Sequence, residues 1–470
     1  VTGIYTPRTK IVCTLGPATS TDDAIRGLIE AGMNVARVNF SHGTHEQHAT
    51  TIAMVRRIAN EMDKPIAILG DLQGPRIRVG DLPEPVYFAV GGDITLVHEG
   101  HERPGEIPVT YDQLASDVRV GDRILIDDGL IELLAVEVGN SRVGAKVLNG
   151  GFIKSHKGLN LPGVQVSAPS ITDKDIADIG FAVGQEVDFI ALSFVRRGED
   201  IDSLRTMVPK SVLIIAKIEK DVALLNIDAI IRASDGVMVA RGDLGVELPF
   251  EAVPGAQKRI IRLANKYGRP VITATQMLES MIEHPRPTRA EASDVANAIM
   301  DGTDAVMLSA ETAAGAYPRL AVEAMTRIIR EIEQRPPSKP FAGAEQGDGI
   351  VTTEVAIAAA TVAAVDMLGA PLVVVFTKSG FSARVVASKR PAVPILALTD
   401  EERTYRQLAL VWGVVPELVP HCMDYEEMMT RAKDAVVARE LASAGDRIIV
   451  TAGVPFDMPG TTNLLKVETI

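Results

Sequence analysis

The sequence predicts an α/β protein: a (β/α)8 TIM barrel with an all-β domain inserted after its third strand and a separate C-terminal α/β domain. Three observations carry that prediction. Eight short β-rich apolar runs recur, most of them separated by an amphipathic helical stretch such as "TDDAIRGLIEAG" or "PGAQKRIIRLANKYG"; a repeated βα pattern implies parallel strands, and eight units close a barrel. Between the third and fourth runs, over 72–171, the period shortens to alternating runs punctuated by glycine, as in "VYFAVGGDITLV", the mark of antiparallel strands and turns. A Pro/Gly-rich stretch, "EQRPPSKPFAGAEQGDG" at 333–349, then precedes a further β and α alternation, as a linker does.

The eight runs are "KIVCTLG" (10–16), "VARVNF" (35–40), "IAILGD" (66–71), "DFIALSFV" (188–195), "VLIIAKI" (212–218), "GVMVAR" (236–241), "VITAT" (271–275) and "AVMLS" (305–309). The predicted barrel covers 1–71 and 172–335. The insert, 72–171, reads as a β-barrel lid, because an insertion at a βα loop stands over the C-terminal face of the strands. The last domain, 345–470, contains "PLVVVFT", "VPILALT" and "DRIIVTAG" as strands.

Bulk composition excludes several classes. At 470 residues, 46% hydrophobic and 23% charged, the chain can bury more than one sizeable core. Its net charge of -13 argues against nonspecific nucleic-acid binding. It leaves anionic small molecules open, since a local cation cluster or metal reverses the sign within a cleft. The two cysteines, Cys13 and Cys422, have neither disulfide-framework nor zinc-cluster spacing, and a reducing, cytoplasmic setting fits. The N-terminus has no signal-peptide pattern. The most membrane-like run, "EVAIAAATVAAVDMLGAPLVVVF", is crossed by Glu354 and Asp366 and broken by Gly369 and Pro371, so no membrane partner is expected.

A barrel of this kind builds its site from the carboxyl ends of its strands. There the sequence places Arg37, Asn39, Ser41 and His42 on the second strand, Asp71 followed by Arg76 and Arg78 on the third, and Lys217 and Glu219 on the fifth. The sixth ends in Arg241, Gly242 and Asp243, the seventh in Thr275, the eighth in Ser309 and Glu311. Lys217 and Glu219 lie two apart and share one face of an extended strand. Their plain alternative is an internal ion pair, and the stretch "LIIAKIEK" alone leaves the two readings even. Glu219 and Asp243, on neighbouring strands, can converge on one hard cation; with no histidine or cysteine beside them, Mg²⁺ fits and zinc does not. Gly242 lets backbone approach an anion or simply makes a tight turn. Arg37, Arg78 and Lys217 supply fixed positive charge for a transferring phosphoryl group. No P-loop and no HRD or DFG set is present.

These segments carry a resemblance. "KIVCTLGPAT", "GMNVARVNFSHG", "DLQGPRIRVG", "KGLNLPG", "AKIEK", "VMVARGDLGVEL", "ITATQMLESMI", "PRPTRAEASDVANAIMDGTDAVMLSAETA" and "TKSGFSARVVASKRP", in this order, make the chain resemble the pyruvate kinase family along essentially its whole length. The resemblance implies Mg²⁺-dependent phosphoryl transfer from phosphoenolpyruvate to ADP, giving pyruvate and ATP, the last step of glycolysis. It implies Glu219 and Asp243 as metal ligands and Lys217 as stabiliser of the phosphoryl group and enolate. Arg37 would bind the phosphate, Gly242, Asp243 and Thr275 the substrate, and Thr275 would also lie on the route of enolate protonation. Asn39, Phe40, Ser41, His42, Arg78 and Lys157 would contact the nucleotide, Lys157 from the lid.

The match departs in one informative place. Family members that need K⁺ carry Thr and Lys after the third-strand aspartate and Glu after the proline, where this chain has Leu72, Gln73 and Arg76. A fixed guanidinium can supply the charge of a monovalent ion, so K⁺ is expected to be dispensable, with Asn39, Ser41 and Asp71 left as candidate ligands. Val222, Ala223 and Ala310 also depart from the usual family residues, without touching a proposed ligand.

In the last domain, Thr377, Lys378, Ser379, Gly380, Phe381 and Ser382 run from a strand into a helix start, a ready phosphate nest or ordinary capping by Ser379 or Ser382. The resemblance implies an allosteric sugar-phosphate or AMP effector here, and a homotetramer. "HGTHEQH" spaces His42, His45 and His48 without a metal-binding order, and Thr288 to Glu291 reads as a capping box. Two rivals remain: a Mg²⁺-dependent aldolase or lyase on a related barrel, needing no lid or Lys157, and a catalytically silent sensor using only the C-terminal nest.

Overall fold

The computed structural model describes residues 7–334, 352–422, 424–453 and 462–470. Most of the expected linker lies outside them. Eight parallel strands close a barrel: β1 (Lys10–Thr14), β2 (Val35–Asn39), β3 (Ala67–Asp71), β4 (Phe189–Leu192), β5 (Leu213–Ile218), β6 (Gly236–Ala240), β7 (Val271–Ala274) and β8 (Ala305–Leu308). All eight predicted runs are strands of it. The barrel closes through β1, which pairs with both β2 and β8.

Alternation along β5 explains its odd ending. Ile214, Ala216 and Ile218 face outward into the layer shared with the helices, while Ile215 joins the cluster inside the barrel with Val12, Leu69 and Met238. Lys217 and Glu219 continue that inward face, so the apolar filling of the barrel ends in an ammonium and a carboxylate at its C-terminal rim. At the opposite rim, Ala409 and Leu410 of the C-terminal domain plug the interior.

Capping residues mark where helices begin. Thr44 with Gln47 boxes the start of helix His45–Glu61, Thr172 with Asp175 restarts the barrel after the insert, and Thr288 with Glu291 opens helix Arg289–Asp301. The Thr288 box thus has the structural role read for it.

The insert leaves after β3 and returns at helix Asp173–Gly184. Its strands make a six-stranded, mostly antiparallel sheet and a separate two-stranded pair of Val86–Phe88 with Gly151–Ile153. A barrel was expected there. The edge strands Ile107–Val109 and Leu159–Asn160 do not pair with each other directly, but Arg78 and Val79 run between them: Val79 bridges to Val109 and Arg78 to Gly158, both antiparallel. Its own core, including Ile94, Leu96, Ile124, Leu133 and Val147, is separate from that of the barrel.

The C-terminal domain is a five-stranded sheet of β9 (Val373–Phe376), β10 (Ile395–Thr399), β11 (Val414–Leu418), β12 (Arg447–Ala452) and β13 (Leu464–Thr469), in the order β11-β10-β9-β12-β13. Only β13 runs antiparallel. The Ala-rich run is helix Thr353–Leu368, ended by Gly369 at φ 62°. Among the described residues no helix is long and apolar enough to cross a membrane.

Candidate active site

At the C-terminal rim, Lys217 Nζ lies 2.9 Å from Glu219 Oε1, 3.1 Å from Asp71 Oδ1 and 2.7 Å from Ser193 Oγ. Asp71 is shared: its Oδ2 accepts from Arg37 Nε at 2.7 Å, and Arg37 Nη1 donates to Thr14 Oγ1 at 2.9 Å. Lys217 and Arg37 are each 9% exposed, Glu219 1% and Asp71 0%. This is therefore a buried network of two cations and two carboxylates at the ends of β2, β3 and β5. The internal Lys/Glu pair is present, and it sits at the C-terminal rim with the charge of Asp243 beside it.

The electrostatics follow from burial and pairing. Burial alone would lower the Lys217 pKa, but the Asp71 and Glu219 carboxylates outweigh it and hold the ammonium above its ordinary range. Burial would raise Asp71; Lys217 and Arg37 together reverse that and hold it below the carboxylate range. Glu219 moves up: burial raises it, the charge of Asp243 adds to the rise, and Lys217 opposes both. The Phe194 N–H donates to Glu219 Oε2 at 2.7 Å and fixes the carboxylate.

Gly242 and Thr275 meet directly. The Gly242 N–H donates to Thr275 Oγ1 at 2.7 Å, and Thr275 adopts φ 69° followed by Gln276 at φ 54°. A β-branched residue in the left-handed region is strained. Arg241 restrains it, with Nη2 donating to Thr275 O at 2.7 Å and to Gln276 O at 3.1 Å, and Nη1 to Asp294 Oδ1 at 2.8 Å.

A cavity of about 810 Å³ opens beside Arg37, lined by residues that include Thr14, Pro17, Asn39, His42 and Gln47. Asn39 Oδ1 accepts from the Ser41 N–H at 3.1 Å. Phe40 is buried with its ring edge-on to those of His48 and Phe181, so its side chain serves packing. Under the insert, a narrow space lined in part by Arg76, Phe194, Lys220 and Asp243 separates the lid from the barrel; Arg76 Nη2 stands 3.9 Å from Asp243 Oδ1 and 4.0 Å from Asp128 Oδ1.

Not every predicted residue converges. Arg78 Nη1 donates to His156 O at 3.1 Å, and Lys157 Nζ pairs with Asp127 Oδ1 at 2.8 Å, so both are tied within the insert and neither lines the cavity beside Arg37. The three histidines do not share a ligand position: His48 Nε2 is 2.8 Å from His42 O, and His45 Nε2 is 2.7 Å from Asp178 Oδ1. In the C-terminal domain, Gly380 at φ 74° starts helix Phe381–Ser388 with no side-chain cap. Ser382 Oγ lies 2.6 Å from Thr462 Oγ1 instead, and Lys378 Nζ lies 3.9 Å from Asp400.

Sequence reading missed Thr14 and Ser193. Both stand at strand ends, one closing β1 and one just past β4, and the rim rule that found Arg37 and Lys217 applies equally to them. Asp71, left as a candidate ligand should a monovalent ion bind, is here the common counter-ion of Arg37 and Lys217.

The pyruvate kinase barrel domain family matches residues 6–322, and the pyruvate kinase alpha/beta domain family matches 355–468. Pyruvate kinase of Geobacillus stearothermophilus is 47% identical over 98% of this chain and 80% of its own, and that of Staphylococcus aureus strain MRSA252 is 45% identical over the same shares. The crystal structure of a pyruvate kinase from Cryptosporidium parvum superposes with a TM-score of 0.94 at 37% identity, covering 98% of this chain and 96% of that one. Fold and family match together define a phosphotransferase built on a (β/α)8 barrel. The chain belongs to the pyruvate kinase family.

Proposed function

We propose that the rim network transfers the phosphoryl group of phosphoenolpyruvate to ADP, releasing pyruvate and ATP, as the last step of glycolysis in the cytoplasm. The observation that carries this is the position of the Lys217 ammonium, held charged between Asp71 and Glu219 with Arg37 on the other side of the shared aspartate. Two fixed cations at one rim suit a group whose charge spreads over its equatorial oxygens. Positioning and charge stabilisation are the work such a transfer requires.

The donor set fits a hard divalent ion. Glu219 and Asp243 are acid neighbours whose mutual repulsion adds to the rise of Glu219, and a cation between them would relieve it. Glu219 and Asp243 would hold Mg²⁺. When bound, it would neutralise developing charge on phosphoryl and enolate oxygens. Lys217 stabilises the enolate as the phosphoryl group leaves, and Arg37 orients the phosphate. The Gly242 amide and Thr275 hydroxyl hold the substrate carboxylate, exchanging for it the hydrogen bond that now keeps the two groups on one spot. Thr275 lies on the path that delivers a proton to the enolate carbon. Asn39 to His42 and the adjoining cavity receive the nucleotide, and Arg78 and Lys157 reach it only by movement of the insert.

Arg76 beside Asp243 supplies fixed positive charge, and Asp71 already has two cationic partners, so K⁺ is dispensable. The helix start at Gly380 binds a sugar-phosphate or AMP effector in a homotetramer. A coupled assay tests the central reading: pyruvate must appear from phosphoenolpyruvate only with ADP and a divalent cation. Pyruvate release without ADP would favour a lyase, and effector binding without turnover a silent sensor.

A further inference from the structure

At the rim of the barrel opposite the catalytic site, a cavity of about 480 Å³ lies between the barrel and the C-terminal domain. Its barrel wall carries Arg56, Asn60, Lys64 and Gln185, and its other wall Tyr405 and Arg406. The volume lies in the range of small-molecule sites.

Charge inside is not balanced by its nearest acid. Asp188, 0% exposed, is the one buried carboxylate here, and it is shared: Arg56 Nη2 donates to Oδ2 at 2.9 Å and Arg406 Nε to Oδ1 at 3.0 Å. Two guanidiniums therefore answer one carboxylate. Burial, and then Arg406 and Arg403 against the pull of Asp188, hold Arg56 below its ordinary pKa, as expected where like charges crowd. Lys64 has no ion pair among the described residues. The other acids are exposed: Glu186, Asp63, whose charge acts on Tyr405, and Glu402, 79% exposed and 3.7 Å from Arg406, a surface pair that neutralises little. Glu417, behind Tyr405, is taken up by Arg439. The Tyr405 hydroxyl has no hydrogen-bond partner among the described residues, and Asn60 and Gln185 add amides on the facing wall.

We propose that this interdomain cavity is a binding site for the phosphate monoester of a small polyol, distinct from the helix start at Gly380. Arg56, Lys64 and Arg406 take the dianion, and Tyr405, Asn60 and Gln185 take its hydroxyls. One element links it to the catalytic rim. Helix His45–Glu61 presents Gln47, His48, Thr51 and Met54 to the large cavity beside Arg37, and Ile52, Arg56 and Asn60 to this one. Gln47 and Asn60 are about 20 Å apart along its axis. A ligand that draws the two domains together against Arg56 therefore restrains the helix whose first turns wall the catalytic-side cavity.

The binding claim stands apart from the catalytic reading, and its test needs no turnover. The full chain carrying Ser379→Glu, which sets a negative charge in the Gly380 nest, is titrated calorimetrically with a hexitol monophosphate, inorganic phosphate and malonate. The hexitol phosphate binds saturably, Lys64→Glu added to that chain weakens it at least about tenfold, and Tyr405→Phe weakens the hexitol phosphate but not inorganic phosphate. Hydrogen exchange of residues 45–61 slows on binding. No saturable binding up to about 10 mM, an isotherm indifferent to Lys64→Glu, or binding of malonate alone overturns the assignment; unchanged exchange in 45–61 overturns the link to the rim.

Discussion

Arg241 holds Thr275 in a backbone conformation that threonine rarely adopts: its Nη2 donates to Thr275 O at 2.7 Å while Thr275 sits at φ 69°. Left-handed backbone at a β-branched residue costs about 1–3 kcal/mol and persists only where surroundings impose it. The buried fork of Arg241 also reaches Gln276 O and, through its other arm, Asp294, so a single point charge cannot replace it. Arg241→Lys is expected to lower kcat by about 10- to 100-fold through misplacement of the Thr275 hydroxyl, with the KM for ADP little changed. Steady-state kinetics with each substrate varied separately reads that split, and an equal rise in both KM values would contradict it.

Removing Lys217 tests the network directly. In Lys217→Met, Asp71 keeps Arg37, but Glu219 is left buried beside Asp243 without its ammonium partner. Loss of one partner of a buried pair costs about 3–5 kcal/mol, read by chemical denaturation. Turnover should fall by at least about a thousandfold. The two effects separate in Lys217→Met with Glu219→Gln, which removes the stranded charge: stability partly returns, and activity does not.

Lys10 gives a pH signature remote from the site. It is 5% exposed, donates to Val414 O of the C-terminal domain at 2.7 Å, and burial lowers its pKa from 10.5 to about 8, against the pull of Glu333. Below pH about 8 both folded and unfolded chains carry the charge, and the folded state bears the full burial cost, about 3 kcal/mol. Between about 8 and 10.5 the unfolded chain binds the proton that the folded one lacks, so this contribution stabilises the fold as pH rises. Lys10→Met should therefore be more stable than the parent near pH 7, by up to about 3 kcal/mol less the lost hydrogen bond. Denaturation at both ends of that window should show the advantage shrinking as pH rises; a constant difference would refute it.

How much of the fold and site is legible in the sequence depends on the kind of signal. Facing is legible in β5, because a period of two carries Ile215, Lys217 and Glu219 to one side whatever surrounds them. The rim rule likewise puts Arg37, Gly242 and Thr275 at the ends of their strands. Partner choice is not legible: that Asp71 serves Arg37 and Lys217 together depends on the closure of β2, β3 and β5 around one axis, which spacing does not encode. How the edges of the insert's sheet are joined, through Arg78 and Val79, escapes for a similar reason, since alternating strands look alike whichever edges meet. Lys157 shows a further limit, because Asp127, its partner, is set by the fold of the insert alone.

Arg76 supports the remaining prediction. Its guanidinium lies 3.9 Å from Asp243 Oδ1 and 36% of its side chain is exposed, so it can follow charge changes at the rim without leaving the cleft. Asp71, the candidate acidic ligand of a monovalent ion, is already balanced by Arg37 and Lys217, and Leu72 beside it is buried and offers only its backbone carbonyl. A monovalent cation would therefore enter a rim already supplied with positive charge, where repulsion opposes it. Rate measured against K⁺ at constant ionic strength, with a bulky cation as replacement, should be nearly flat. In Arg76→Glu the same rim loses one positive charge and gains a negative one, and K⁺ should then activate by about tenfold or more. Steep activation of the parent chain, or none in Arg76→Glu, would show that the guanidinium does not take the place of the ion.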